Sequence, residues 1–322
     1  MKSVRIHAAG GPDQMRLEEL PMPTPGPGQV LVKVKAAGVN FIDIYQRSGQ
    51  YSVPMPYGLG LEGAGVVEAL GPAVDHIAVG NRVAWNGVAG SYATHVAVPA
   101  DRLVPLPESL RFEDGAAAML QGMTAHYLAC TTYPLKSGER CLVHAAAGGV
   151  GLLLCQIAKS RGAQVLGTVS TEEKAALAHE SGADRAILYT QQDFEVEAKR
   201  LTGGAGVHVV YDSVGKDTFE KGLNCLRPRG MMVLFGQSSG AVPPFDAQVL
   251  NAKGSLFLTR PSLGHYVATR EELLRRSGDI FGWIESGKLK LRIGGSYPLA
   301  EAPRAHEDLA SRKTTGKLIL IP

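Results

Sequence analysis

The stretch RCLVHAAAGGVGLLLCQIAKSRG, residues 140–162, sets the strongest limit on the fold. A short apolar run leads into closely spaced glycines, and an apolar-periodic helix follows at once. The same alternation continues down the chain. AQVLGTV is a predicted strand and EEKAALAHESG a helix. RAILY is a strand and FEVEAKRLTGG a helix. GVHVVYDSV is a strand, KDTFEKGLNCLRPRG a helix, and MMVLFG closes the series. Strands and helices of these lengths predict a parallel sheet with helices on both faces.

The glycine turn suits a diphosphate. On the G-x-G-x-x-G spacing it aligns Ala146, Gly148 and Gly151, with alanine in the first glycine's place. Gly148 lets backbone approach a ligand, and Gly151 lets the next helix pack on the sheet. The helix start over Ala147, Gly148, Gly149, Val150 and Gly151 offers N–H groups to phosphate oxygens. A tight turn with no ligand is the plainer alternative. An ATP-type P-loop fails, because no GK[ST] ending follows.

Cofactor choice is read at the end of the second strand of the series. NAD-specific sites usually carry an acid there for the ribose hydroxyls. Here the strand ends GTVSTEEK, and Thr168, Val169 and Ser170 are not acidic. Ser170 can donate to a 2′-phosphate and Lys174 can reach it as a point charge. NADPH is therefore the expected cofactor. A surface lysine in a first helical turn is the alternative for Lys174.

The first third differs. VRIHAAG, QVLVKVKAAGV, GAGVVEAL, NRVAWN and YATHVAVPA are short strands separated by turn residues, too close together for crossover helices. They predict a partly closed β domain. A helix over FEDGAAAMLQGMTAHYLACTTY, with Ser109 as a possible cap, leads out of it. The last strand, KLILIP, is expected at an edge of this first domain. The chain divides into 1–122, 123–260 and 261–322, the last part returning to the first.

With 322 residues, a net charge of +3 and four scattered cysteines without a CxxC pair, the sequence gives no basic stripe for nucleic acid and no zinc knuckle or disulfide framework. No apolar run is long enough to span a membrane, and the first residues do not resemble a secretory signal. A cytoplasmic protein is expected.

Five stretches together resemble the medium-chain dehydrogenase/reductase superfamily, and within it the quinone oxidoreductase family that includes zeta-crystallin. They are AAGVNFIDIYQRSGQY (36–51), GLGLEGAGVV (58–67), HAAAGGVG (144–151), VVYDSVG (209–215) and GSLFLTRPSL (254–263). The resemblance spans essentially the whole chain. It implies an α/β protein: a GroES-like partly closed β-barrel catalytic domain built from both chain ends, plus a Rossmann doubly wound parallel-sheet domain between them. It also implies a homodimer or tetramer.

By position, the resemblance places Asn40, Tyr45 and Tyr51 at the catalytic site. It adds Asn40, Thr124, Tyr189, Gly236, Ser238, Phe257, Thr259 and Arg312 to the cofactor contacts, with Arg312 reaching for the 2′-phosphate. Zinc members use an early cysteine and a histidine in a GHE motif. This chain has Asn40 to Asp43 as NFID and Gly60-Leu61-Glu62 instead, so no metal is expected and Glu62 is expected to be a buried structural acid.

A quinone accepts a hydride without a Lewis acid, needing mainly to be held close and dry. The expected activity is NADPH-dependent quinone reduction; semiquinone release is associated with zeta-crystallin relatives. The alternatives are reduction of an enone or enal double bond with the same cofactor, and an RNA-binding or crystallin-like structural role.

Overall fold

The computed structural model describes residues 1–322. The chain forms two compact units, one from 1–123 with 267–322 and the other from 124–266.

The first unit holds β1 (Lys2–Ile6), β2 (Arg16–Glu19), β3 (Gln29–Val39), α1 (Phe41–Ser48), β4 (Tyr57–Gly58), β5 (Glu62–Leu70), β6 (Arg82–Asn86), β7 (His95–Pro99) and β8 (Val104–Pro105). Helix α2 (Phe112–Tyr127) then carries the chain into the second unit. The second unit holds β9 (Arg140–Val143), α3 (Gly149–Ser160), β10 (Gln164–Val169), α4 (Glu172–Glu180), β11 (Arg185–Leu188), α5 (Phe194–Leu201), β12 (Val207–Asp212), α6 (Phe219–Asn224), β13 (Leu226–Leu234), α7 (Gln248–Ala252), β14 (Phe257–Thr259) and α8 (Leu263–Tyr266). The chain returns to the first unit for α9 (Arg270–Glu285), β15 (Ile293–Pro298), α10 (Ala302–Ala310) and β16 (Lys317–Ile321).

Strand β3 organises the first unit. It pairs with β5 along most of its length, with β7 at Gln29–Lys33, and with β16 at Ala37–Val39. Two register shifts against β5 bend it, as bulges do in barrels. The resulting sheet runs β15-β16-β3-β5-β6-β8, beside a small β2-β1-β4 sheet. This is the GroES-like β domain. The C-terminal strand is not an edge, as the sequence suggested. It lies inside the sheet, antiparallel to β3 and parallel to β15, because helix α10 brings β15 alongside it by a crossover.

The second unit is a parallel sheet in the order β11-β10-β9-β12-β13-β14, a doubly wound Rossmann arrangement. Its core packs Leu142, Leu166, Ile187, Val210 and Met232 from the strands against Phe194, Ala198, Phe219 and Leu223 from the helices. The helix expected over KDTFEKGLNCLRPRG is shorter. It ends at Asn224, and Leu226 already pairs with Val207. A bulge around Arg229, whose φ is +59°, separates that pair from the next, Val209 with Met231. Ser109 does not cap α2: its hydroxyl bonds Glu285, while the Arg111 amide donates to Asp114 at the helix start.

Candidate functional site

Each unit contributes a separate constellation. In the second unit, the residues singled out from sequence gather at the carboxyl ends of the parallel strands. Ala147–Gly151 follow β9, Ser170 follows β10, Tyr189 follows β11, and Gly236 and Ser238 follow β13. Phe257 and Thr259 lie within β14. Strands β9 and β12 flank the point where the strand order reverses, the usual place for a ligand in such sheets. The glycine turn therefore sits at the switch point.

Gly148 is the N-cap of α3, with extended backbone and no side chain capping it. The amides of the first turn are thus left to the helix's positive end. Gly151 is needed for packing. A Cβ there would lie 2.3 Å from the Ala145 carbonyl oxygen and 2.8 Å from the Ala146 Cα. The left-handed residue of the turn is Ala145, φ +52°, one position before the alanine aligned with the first glycine.

At the end of β10, Thr171 caps α4 by accepting from the Lys174 amide at 3.3 Å. Glu172 and Glu173 are exposed, Ser170 and Lys174 half-buried. Burial holds the Lys174 pKa below its ordinary value, and the nearby Glu173 offsets only part of that drop. No acid stands where a ribose-binding carboxylate belongs. Across the switch point, the buried Asp212 fixes the loop after β12. It accepts from the Val214 amide at 2.7 Å, the Gly215 amide at 3.0 Å and the Thr218 hydroxyl at 2.8 Å. Nothing in the local pattern VVYDSVG marks Asp212 for this task, because its partners are turn amides and a hydroxyl that only the folded loop brings to it. Tyr189 and Phe257 are exposed, and Thr124 is buried in α2. Arg312 belongs to the first unit, exposed in the loop after α10.

In the first unit, Asn40 caps α1 directly after β3. Tyr45 and Tyr51 meet edge to face, ring centroids 5.3 Å apart, with Tyr45 buried and Tyr51 partly exposed. The Asn40 side chain belongs to a buried network. Its Oδ1 accepts from Lys317 Nζ at 2.8 Å and Gln121 Nε2 at 3.3 Å, and its Nδ2 donates to Glu62 Oε2 at 2.9 Å. Lys317 also donates to Glu62 Oε2, and Glu62 Oε1 accepts from the Leu120 amide at 2.6 Å. Glu62 is thus buried and paired. Lys317, first residue of the last strand, carries no sequence signal for this.

A second buried cluster adjoins it. Asp43 Oδ2 accepts from the Asn40 amide at 2.8 Å and from the Tyr92 hydroxyl at 2.9 Å, and Tyr92 meets His306 Nε2 at 3.1 Å. Burial pushes the Asp43 carboxyl up to about 7 and His306 down to about 3.

The residues do not fit a zinc ion. Leu61 stands where the GHE histidine would, Asn40 replaces a thiolate, and the Lys317 ammonium contacts both Asn40 and Glu62. No group of three or more His, Cys, Asp or Glu side chains gathers as a ligand set.

Comparison with known proteins agrees with both halves. An alcohol dehydrogenase GroES-like domain model matches residues 26–108, and a zinc-binding dehydrogenase model matches 149–274. The quinone oxidoreductase of Pseudomonas aeruginosa is 47% identical, over 100% of this chain and 99% of its own. The chain belongs to the zinc-independent, zeta-crystallin-like quinone oxidoreductase family. Within this family, the quinone oxidoreductase of Escherichia coli solved with NADPH is 46% identical, covers all of both chains and superposes with a TM-score of 0.98. A 2-haloacrylate reductase from Burkholderia sp. is 43% identical over 98% of both chains. No helix is long and apolar enough to cross a membrane.

Proposed function

We propose that this protein is an NADPH-dependent reductase of small quinones, working without a metal. The observation that carries the cofactor assignment is the end of β10, where Ser170 and Lys174 stand in place of an acid. The relative solved with NADPH supports it. When bound, NADPH supplies a hydride from its nicotinamide C4. The amides of Gly149, Val150 and Gly151 at the start of α3 hold the diphosphate. The Ser170 hydroxyl and the Lys174 ammonium hold the 2′-phosphate, whose negative charge favours the protonated lysine that burial disfavours. Within the same unit, Thr124, Tyr189, Gly236, Ser238, Phe257 and Thr259 complete the cofactor contacts. On the acceptor side, Tyr45 and Tyr51 provide an aromatic wall and Asn40 an N–H for a quinone oxygen gaining negative charge.

The haloacrylate reductase relative favours a second reading, reduction of an activated carbon–carbon double bond by the same machinery. We further propose a homodimer in the cytoplasm. Strand β14 is an open sheet edge, suited to a second copy; light scattering on the purified protein tests this.

Initial rates of NADPH and NADH oxidation with p-benzoquinone, an o-naphthoquinone and an enone decide between the readings. Fast NADPH oxidation with the quinones and little with the enone is expected. Activity with the enone alone would move the function to double-bond reduction. Replacing Lys174 with alanine should raise KM for NADPH about 10- to 100-fold, the worth of a charge-assisted hydrogen bond, and leave KM for NADH nearly unchanged. Equal effects would put Lys174 outside the phosphate pocket.

A further inference from the structure

Four side chains from four elements close the network around Asn40: Asn40 at the cap of α1, Glu62 at the start of β5, Gln121 in α2 and Lys317 at the start of β16. All four are buried. Gly38, two residues before Asn40, makes room for them. A Cβ there would lie 2.7 Å from Lys317 Cε and closer still to Glu62 Oε2.

The network fixes which way the Asn40 amide points. Both acceptor positions of Oδ1 are taken, by Lys317 and Gln121. One hydrogen of Nδ2 goes to Glu62. The other reaches only towards the Gly38 carbonyl at 3.5 Å, the limit of a hydrogen bond. Turning the amide over would set its NH2 against an ammonium and another NH2, and its oxygen against a carboxylate. That orientation is excluded by charge, and the ammonium contributes most because it is the only cation in the set.

We infer that Lys317 is a positioning residue for the reduction: braced by Glu62, its ammonium holds the Asn40 amide so that an N–H, never the carbonyl oxygen, is offered to the acceptor. This role rests on the reductase function proposed above. A hydride arriving on a quinone leaves negative charge on oxygen. A fixed N–H stabilises that charge, and a carbonyl oxygen in its place would repel it. The Nδ2 hydrogen held only by the long contact to the Gly38 carbonyl is the one free to turn to an acceptor atom.

The test compares Lys317→Met, Lys317→Arg and the double variant Glu62→Gln/Lys317→Met. Each is assayed for kcat, for KM with NADPH and for thermal midpoint. Lys317→Met should lower kcat roughly 10- to 100-fold with KM for NADPH within about twofold, the mark of a lost transition-state contact. Lys317→Arg should recover most of the rate. Lys317→Met leaves Glu62 buried without its counter-ion and can fail to fold for that reason alone. The double variant removes both charges, so its thermal midpoint should recover while its kcat stays low.

Recovery of both in the double variant would overturn the inference and make Lys317 a structural counter-ion only. So would a risen KM for NADPH with kcat unchanged. The acceptor is whichever one the wild type reduces. A wild type active on the enone and not on quinones refutes the quinone assignment, while the variant-to-wild-type ratio still decides Lys317. A wild type active on neither overturns both.

Discussion

Asp43 is completely buried, and its carboxyl answers to groups from several elements. Burial raises its pKa to about 7, as does the Glu62 carboxylate, while the Asn40 amide, the Tyr92 hydroxyl and the Lys317 charge pull it down. Through Tyr92 it reaches His306, which burial, aided by the Arg47 charge, lowers to about 3. In an unfolded chain these groups titrate at about 3.9 and 6.5. Folding therefore makes Asp43 a better proton holder, and its contribution to stability is lost as pH rises from about 4 to about 7. His306 does the reverse: its contribution is lost as pH falls from about 6.5 to about 3. The two slopes oppose each other between about pH 4 and 6.5. Asp43→Asn keeps an acceptor for Tyr92 and removes one slope. Its thermal midpoint should rise with pH across that window more steeply than the wild type's, and should not share the wild type's loss approaching pH 7. Melts of both proteins in half-unit pH steps check this. Parallel curves would mean that Asp43 does not titrate there.

At the scale of elements, the start of α3 gives the sharpest prediction. Gly151→Ala drives a methyl group into the Ala145 carbonyl and pushes the helix off β9. Overpacking of this kind costs about 1–3 kcal/mol. It also displaces the first-turn amides, so affinity for NADPH should fall by roughly tenfold or more. A thermal melt and a fluorescence titration measure the two effects, and a variant with normal values would show that the turn relaxes freely. This turn was legible in the sequence because its determinants are local: an apolar strand, small residues and an apolar helix within about one βα unit. The start of β13 was not. LRPRG reads as the end of a helix until Leu226 finds Val207, and only the sheet supplies that partner. The candidate site divides in the same way. Ser170 and Lys174 follow from position along β10. Asp43 is spaced to cap Asn40, but its burial depends on Tyr92 and His306, which come from distant parts of the chain. Lys317 looks like the polar end of an apolar strand, and its partner Glu62 lies 255 residues away.

The whole molecule is a chain that leaves its first unit and comes back, and β16 is what the return delivers. This strand lies between β15 and β3, with Leu318, Ile319 and Leu320 at 1%, 0% and 0% exposure. Deleting residues 317–322 removes the strand that joins β15 to β3 and strips Glu62 of its counter-ion. An uncompensated buried charge costs about 3–5 kcal/mol. Each lost aliphatic side chain costs about 1.5–3 kcal/mol. Together these reach about 10 kcal/mol, comparable to the whole stability of an ordinary domain. The second unit takes every strand of its sheet from within 124–266 and has a core of its own. The truncated protein should therefore lose hydrogen-exchange protection in β3 and β5 while keeping it in β9, β10 and β12. Limited proteolysis should leave a resistant fragment close to residues 124–266. Loss of protection in both units at once would show that the Rossmann unit depends on the β domain for its stability.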